Sequence, residues 1–271
     1  MIRFDGVSYT YAQGSVDRRA VDDVSLTVDE GELVALVGAN GSGKSTLARL
    51  GNGILLPTEG SVKVDGIDTR ERSRARELHT RVGIVFQSPD DQIVSTSVED
   101  DVAFGPENLC LPREEIRARV DQALATVGLT GLEQREPHLL SGGQKQRLAL
   151  AGALALGPRY LILDEPTSMI DPQGRDDVLS IVDDLRESGH GILLVTHDLA
   201  EAYRADRVVV MARGAVAFSG APSELYESID ADAVGIEVPS LIRLVNELRD
   251  AGVPVGEGQT TVPGVIEALC R

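Results

Sequence analysis

The run "LVALV", residues Leu33–Val37, leads directly into "GANGSGKST", residues Gly38–Thr46. A continuous apolar run of this kind predicts a β-strand that is buried on both faces. The glycine-rich segment fits the pattern G-x-x-x-x-G-K-[ST], in which backbone N–H groups surround phosphates at the start of a helix. Lys44 is then expected to reach the β- and γ-phosphates, and Ser45 to hold Mg²⁺. The alternative, a glycine-rich turn without function, does not account for the lysine, the hydroxyl and the flanking elements together.

Two further apolar strands end in polar side chains that suit the same chemistry. "YLILDE" ends in Asp164 and Glu165, and "GILLVTH" ends in His197. Ligands bind at the carboxyl ends of the strands in an open α/β sheet. We therefore expect Asp164 to hold Mg²⁺ through water, Glu165 to act as general base on an attacking water, and His197 to hydrogen-bond the γ-phosphate. The alternatives are a solvated strand edge for the two acids and a structural role for the histidine.

The remaining pattern predicts an α/β protein with a P-loop NTPase core, an antiparallel β-subdomain and an inserted helical subdomain. The segments "IRF", "VSYTY" and "VSLTV" alternate as antiparallel strands do, "SVKVDG" predicts a strand closed by an Asp-Gly turn, and "RVVVM" with "AVAF" predicts a hairpin. Helical spacing dominates about residues 88–157. One helix face there carries Ile116, Val120, Leu124 and Val127. We expect one domain over residues 1–225 and a C-terminal helical extension over residues 226–271, around "SLIRLVNELRDAG".

Composition disfavours several classes of protein. The chain has 271 residues and a formal net charge of −17, which argues against a nucleic-acid partner. Its longest uncharged apolar run, "LALAGALALG", is shorter than the ~20 residues that span a bilayer, and its first residues lack the pattern of a secretory signal. Cys110 and Cys270 suggest neither a disulfide framework nor a zinc site. We expect a cytoplasmic protein, and the acidic, lysine-poor composition is typical of proteins that work in concentrated salt.

A second anion site is predicted by "HLLSGGQKQRLALAGALAL", residues His138–Leu156. Ser141 and Gln144 have the spacing of a capping box, so a well-capped helix is the simplest interpretation. Capping does not explain Gly142 and Gly143, because glycine in a helix costs up to about 1 kcal/mol relative to alanine. Bare backbone at the start of a helix lets a phosphate approach the N–H groups. Since the P-loop already covers its own nucleotide, we expect this site to receive the γ-phosphate of a nucleotide bound to another copy.

Taken in order, "GANGSGKST", Gln87, "LSGGQKQR", "LILDEP" and "TH" resemble the ATP-binding cassette of ABC transporters over about residues 1–225. The resemblance implies a head-to-tail dimer with ATP and Mg²⁺ between one subunit's P-loop and the other's "LSGGQ". It implies that Gln87 links Mg²⁺ and water to the transport subunit, and that Asp171 crosses the dimer interface. Tyr11 would stack on adenine, although simple packing is the alternative. The residues expected to contact ATP are Tyr11, Gly38, Asn40, Gly41, Ser42, Gly43, Lys44, Ser45, Thr46, Ser141, Gly142, Gly143, Gln144 and Asp171.

The segment "QSPDDQIVSTSVEDDVAFGPENL", residues Gln87–Leu109, resembles the energy-coupling-factor importers of cobalt, nickel, biotin and vitamins. That group implies a second cassette, a transmembrane coupling subunit, a small substrate-capture membrane subunit and a location on the cytoplasmic face of the membrane. The alternatives are another class of ABC importer and a soluble cassette ATPase that acts on DNA or ribosomes. Acidic side chains of this segment either are ordinary solvated carboxylates or pair with arginines of the membrane subunit. They are Asp90, Asp91, Glu99, Asp100 and Asp101.

Overall fold

The computed structural model describes residues 1–13, 16–225, 244–245, 247–248 and 251–253. Its strands are β1 (Ile2–Gln13), β2 (Val16–Val28), β3 (Leu33–Val37), β4 (Glu59–Val64), β5 (Ile67–Asp68), β6 (Val82–Val85), β7 (Tyr160–Asp164), β8 (Gly191–Val195), β9 (Arg207–Ala212) and β10 (Ala215–Gly220). Its α-helices are α1 (Lys44–Gly51), α2 (Ala75–Arg81), α3 (Val98–Asn108), α4 (Arg113–Thr126), α5 (Gly142–Leu154), α6 (Pro172–Glu187) and α7 (Leu199–Ala202). Within this part of the chain, no helix has both the length and the apolar character needed to cross a bilayer.

The larger sheet positions the P-loop. Its six strands follow the order β10-β9-β3-β8-β7-β6. Strand β3 pairs in parallel with β8 and β9, β7 pairs in parallel with β6 and β8, and β10 is antiparallel to β9. Because β3, β8 and β7 are parallel neighbours, their carboxyl ends meet at one edge of the sheet. That edge brings the P-loop, Asp164 and His197 together, and the predicted α/β core is confirmed.

The smaller sheet is antiparallel, with the strand order β2-β1-β4-β5. Phe4 and Val62 from this sheet belong to one buried cluster with Leu47 of α1, so the small sheet covers the helix that follows the P-loop. Asp65 and Gly66 join β4 to β5 with φ angles of 48° and 80°. An Asp-Gly pair favours such a left-handed turn between two strands. The predicted antiparallel strands and their Asp-Gly turn are confirmed.

Helices α3, α4 and α5 contact one another and form the helical part of the molecule. Val120, Leu124 and Val127 are buried, and Ile116 packs partly buried against the same cluster, which confirms the predicted helix face. The cluster continues into the large sheet through Leu161, and α5 also contacts β6. The helical part therefore shares its core with the sheet. Its bounds at about residues 88–157 and the domain limit at residue 225 stay predictions.

Seven of the 13 residues of the predicted C-terminal helix, residues 240–252, lie outside the described residues, and Cys270 lies outside them as well. Residues 244–245 and 247–248 are helical. The N–H of Ala251 donates to the carbonyl of Glu247 at 3.0 Å, as at the end of a helical turn. The extension over residues 226–271 therefore stays a prediction.

Candidate nucleotide site

The P-loop connects β3 to α1 through glycines that no other residue could replace. Gly38 and Gly43 have φ angles of 149° and 108°. A Cβ atom at Gly38 would lie 2.2 Å from the carbonyl oxygen of Met211, and one at Gly43 would lie 2.3 Å from that of Ala20. Both positions combine a backbone conformation that favours glycine with a close approach of another strand. The neighbouring strands thus fix the shape of the loop.

Lys44 is buried under this loop, with 5% of its surface exposed. Its Nζ donates to the carbonyls of Gly38 at 2.8 Å and Ala39 at 3.1 Å. Burial lowers the pKa of Lys44, and the nearby carboxylates of Glu165 and Asp164 act in the opposite direction. The ammonium group of Lys44 thus lies against the backbone of the P-loop, where the motif predicts the β- and γ-phosphates.

Ser45 and Asp164 meet at the carboxyl end of β7. The Ser45 hydroxyl donates to Oδ1 of Asp164 at 2.9 Å, and Asp164 is only 4% exposed. Burial raises the pKa of Asp164, against the hydrogen bond from Ser45, which lowers it. A hydroxyl and a desolvated carboxylate are hard oxygen donors of the kind that Mg²⁺ takes beside nucleotide phosphates. The two residues fit the metal that the sequence predicts here.

Glu165, the next residue, has a φ angle of 52°. This left-handed conformation is uncommon for a residue other than glycine, and such outliers cluster at functional sites. The N–H of Glu165 donates to the carbonyl of Val195 in β8 at 2.9 Å. Oε2 of Glu165 accepts a hydrogen bond from Nε2 of Gln87 at 3.0 Å and lies 3.4 Å from Nδ1 of His197. Two of the residues predicted to be catalytic, Gln87 and His197, thus lie beside the same carboxylate oxygen of a third, Glu165.

These groups border an open cleft of about 860 Å³. Tyr11 lies at its rim with its hydroxyl 3.3 Å from Oγ1 of Thr46, and the ring of Tyr9 meets the Tyr11 ring edge-on at 4.8 Å. Arg18 also lines the cleft and pairs across the β1–β2 ladder with Tyr11. Sequence reasoning missed Arg18, because cross-strand register is not visible in the sequence. The cleft is lined by Tyr11, Arg18, Ala20, Val37, Gly38, Ala39, Asn40, Gly41, Gly43, Lys44, Ser45, Thr46, Gln87, Glu165, Ser168 and His197.

The start of α5 carries the second predicted anion site. Both hydrogen bonds of the capping box are present: the Gln144 N–H donates to Ser141 Oγ at 3.3 Å, and the Ser141 N–H donates to Gln144 Oε1 at 3.0 Å. Gly142 is exposed, whereas Gly143 is buried. A Cβ atom at Gly143 would lie 3.1 Å from the Cα of Gly174 in α6. The close crossing of α5 and α6 thus explains the glycine at position 143, and the sequence did not reveal this reason.

The site at the start of α5 is separate from the cleft. Among the described residues that line the cleft, none belongs to 141–144. Asp171 is exposed and caps α6, because its Oδ1 accepts from the N–H of Gly174 at 2.7 Å. The two helix starts are neighbours, since a Cβ atom at Gly142 would lie 3.5 Å from Cγ2 of Ile170. One molecule therefore presents the P-loop cleft and the exposed start of α5 as two separate features.

The acidic segment after Gln87 makes mainly internal contacts. Asp101 Oδ1 accepts from the N–H groups of Val94 and Ser95 at 2.8 and 3.0 Å, and Asp90 pairs with Lys145 of α5 at 2.6 Å. Glu99 and Asp100 are also engaged, with Gln134 and Ser97 respectively. Asp91 is exposed and has no side-chain partner among the described residues. The two interpretations of these carboxylates, solvated surface and partner of a membrane subunit, both stay predictions.

A phosphate loop, an acid pair ending the adjacent strand and a helical part that carries "LSGGQ" together define a nucleotide-binding cassette ATPase. The chain matches the family described as ABC transporter over residues 21–168. It is 51% identical to the energy-coupling factor transporter ATP-binding protein EcfA1 of Symbiobacterium thermophilum, over 98% of this chain and 96% of that protein. It is 45% identical to the corresponding EcfA of Methanosarcina acetivorans, over 100% of this chain and 98% of that protein.

Solved structures lead to the same family. CbiO1 of Clostridium perfringens, described as part of the ABC transporter complex CbiONQ, has a TM-score of 0.77 and 35% identity over 92% of this chain and 94% of that one. A bacterial ABC transporter cassette solved as a dimer has a TM-score of 0.75 and 30% identity over 82% of this chain and 99% of that one. The chain belongs to the ABC transporter family, within the ATP-binding proteins of energy-coupling factor transporters. It binds and hydrolyses ATP.

Proposed function

We propose that this chain powers the import of a micronutrient, a metal ion or a vitamin, through a transporter of the energy-coupling-factor type. One observation supports this most directly: Glu165, Gln87 and His197 meet at a P-loop cleft, while the same chain carries "LSGGQ" outside that cleft. A chain built in this way has half of each of two ATP sites. The names of its relatives, energy-coupling factor transporter proteins and a part of the CbiONQ complex, favour this branch over another ABC importer or a soluble ATPase.

The chemical roles follow from the geometry around the cleft. Lys44 binds the β- and γ-phosphates, and Ser45 and Asp164 would hold Mg²⁺, which would neutralise phosphate charge. Glu165 accepts a proton from a water whose oxygen attacks the γ-phosphorus, so that the bond to the ADP oxygen breaks. His197 faces Glu165 through Nδ1, which leaves Nε2 for the γ-phosphate. Phosphoryl transfer depends mainly on such positioning and charge stabilisation.

The second half of each site comes from another cassette, the same chain or a similar one. The exposed start of α5 offers the Ser141 hydroxyl and the bare backbone of Gly142 to the γ-phosphate on the partner. Gln144, in the same turn of α5, contacts the same nucleotide. Tyr11 stacks on the adenine in the chain's own cleft. Asp171, beside this helix start, crosses the interface between the cassettes. ATP bound between the two subunits thereby closes the dimer, and hydrolysis reopens it.

Coupling to the membrane uses a groove of about 350 Å³ between the sheet and α3, which we call the coupling groove. Its apolar members Ile54, Val94 and Phe104 are 49%, 62% and 50% exposed. Gln92 also lines the groove, and its Oε1 accepts from the N–H of Phe86, next to Gln87. A helix of the transmembrane coupling subunit occupies the groove, so its movement reaches Gln87 and the ATP site. The chain accordingly works at the cytoplasmic face of the membrane, together with a substrate-capture membrane subunit and with no nucleic acid.

Hydrolysis tests the catalytic assignment. Glu165→Gln keeps the size of the side chain and removes the base, so the variant should bind ATP, form a stable ATP-bound dimer and hydrolyse at least 100-fold more slowly. Glu187→Gln makes the same change at an exposed position of α6 and should behave as wild type. Hydrolysis by Glu165→Gln at the wild-type rate would disprove the role of Glu165.

Isolation of the complex tests the transport assignment. Tagged Glu165→Gln with ATP is used to purify partners from detergent-solubilised native membranes, and the partners are identified by mass spectrometry. A transmembrane coupling subunit together with a small capture protein is the expected result. Two permeases with a solute-binding protein would instead indicate an ordinary ABC importer, and the absence of any membrane partner would favour the soluble ATPase.

A further inference from the structure

Glu201, in the short helix α7, is the most deeply buried carboxylate among the described residues, with 1% of its surface exposed. A buried carboxylate is costly unless it is both paired and hydrogen-bonded. Its Oε1 accepts from the hydroxyl of Thr167 at 2.5 Å and lies 3.0 Å from Nε of Arg175. Its Oε2 accepts from the hydroxyl of Thr196 at 2.7 Å. Each oxygen of Glu201 therefore has its own donor.

The two threonines belong to the two loops that carry the catalytic groups. Thr167 lies two residues after Glu165, beyond the end of β7, and Thr196 immediately precedes His197, at the end of β8. Both threonine side chains are buried, so their hydrogen bonds to Glu201 do not compete with bulk water. The Glu201 carboxylate thus holds the Glu165 loop and the His197 loop at a fixed separation.

Arg175 of α6 extends this arrangement to the other side of His197. Its guanidinium pairs with Asp198 as well as with Glu201. Asp198 in turn caps α7, since its Oδ1 accepts from the N–H of Ala200 at 2.7 Å, and its own N–H donates to Oγ1 of Thr196 at 3.0 Å. The residues before and after His197 are therefore both anchored.

His197 itself cannot supply this anchoring, because its side chain is 59% exposed. A cavity of about 230 Å³ adjoins both the nucleotide cleft and the network, and Glu165, His197, Arg175 and Glu201 all line it. Neither Arg175 nor Glu201 is among the described residues that line the cleft. These two charged side chains hence act on the ATP site through the loops and not by touching the nucleotide.

We propose that Glu201, held in place by Arg175, is a positioning residue that sets the distance between Glu165 and His197 for ATP hydrolysis. The inference rests on the proposed roles of those two residues. A group displaced by about 1 Å from its productive geometry loses on the order of 100-fold in rate, whereas phosphate binding by the P-loop does not depend on this network. Loss of the network should therefore lower kcat and leave ATP affinity unchanged.

The sharpest test uses two substitutions at one position of the full-length chain. Thr196→Val keeps the shape of the side chain and removes the hydroxyl, and Thr196→Ser keeps the hydroxyl. We expect Thr196→Val to lower kcat by about 10- to 100-fold with KM and fluorescent-ATP affinity within about 3-fold of wild type, and Thr196→Ser to restore most of the rate. Thr167→Val and Thr167→Ser should repeat this pattern, and Glu201→Gln should resemble the valine variants, with exposed Glu187→Gln as its control. If Glu201→Gln does not fold, the threonine pairs still decide, since they leave the Glu201–Arg175 ion pair in place.

Parallel measurements on Glu165→Gln and His197→Ala distinguish a failure of the positioning role of Glu201 from a failure of the catalytic assignment. If both lose hydrolysis while Thr196→Val retains wild-type kcat, or if Thr196→Val and Thr196→Ser are equally impaired, the positioning role of Glu201 is overturned and the proposed function stands. A matching loss of ATP affinity in Thr196→Val would also overturn it. If Glu165→Gln and His197→Ala both hydrolyse ATP as wild type, the catalytic assignment fails, and the inference fails with it.

Discussion

Alanine substitutions at Gly142 and Gly143 should separate stability from activity within one motif. Alanine favours the helix over glycine by up to about 1 kcal/mol, and this gain is similar at two adjacent positions of the same turn. At Gly142 the new methyl group meets only ordinary contacts, the nearest being the carbonyl oxygen of Met169 at 3.4 Å. At Gly143 it lies 3.1 Å from the Cα of Gly174, so α5 and α6 must separate by a few tenths of an ångström. Overpacking of this kind costs about 1–3 kcal/mol.

Because the helix-propensity gain cancels between the variants, Gly143→Ala should unfold about 1–3 kcal/mol more easily than Gly142→Ala in urea titrations without nucleotide. Gly142→Ala should be as stable as wild type or more so, and yet should hydrolyse ATP more slowly, because the methyl group occupies the exposed helix start that is proposed to bind the partner's phosphate. Free energies of unfolding that agree within about 0.5 kcal/mol would refute the helix-crossing argument. Full hydrolysis by Gly142→Ala would refute the role of this helix start.

Three further outcomes are expected from other parts of the molecule. Burial raises the pKa of Asp65, but hydrogen bonds, among them those from Tyr160 and Arg81, bring the pKa below its ordinary value. The ionised Asp65 therefore stabilises the fold above pH ~4, and this contribution is lost as the pH falls through the folded-state pKa. Asp65→Asn should lower the free energy of unfolding by about 1–3 kcal/mol at pH 7, and the difference from wild type should shrink as the pH falls below ~4. With a net charge of −17, the protein should be more stable to urea in 2 M than in 50 mM KCl, and equal midpoints would count against adaptation to salt. Asp101→Ala removes an acceptor for two backbone N–H groups and should lower the melting temperature, whereas Asp91→Ala should leave it unchanged. Equal melting temperatures of the two variants would show that the Asp101 hydrogen bonds do not stabilise the fold.

The strands of the core could be predicted closely because their signal is local. "LVALV" is bounded by Glu32 and Gly38, and β3 covers the same five residues, Leu33–Val37. The helix α2, by contrast, was not predicted, since only Leu78 of its seven residues is buried and no apolar period is visible. The small sheet was predicted as short strands and has strands of 12 and 13 residues, because pairing between β1 and β2 continues through exposed, polar positions. A hydrophobic pattern in the sequence indicates which residues are buried, and it does not show where backbone pairing extends a strand through exposed residues.

The same distinction explains what could be predicted of the site. Lys44 and Glu165 belong to motifs of consecutive residues, so their roles could be predicted from the sequence alone. Arg18 and Gly174 are placed by neighbours outside any common motif, Arg18 by its strand register with Tyr11 and Gly174 by the crossing of α5 and α6. Glu201 is the extreme case: the chain has 43 acidic residues, and nothing in the sequence marks the one that is 1% exposed. A carboxylate outside such a motif is found only by its burial and its donors, and Glu201 meets both conditions because the ends of β7 and β8 converge on it.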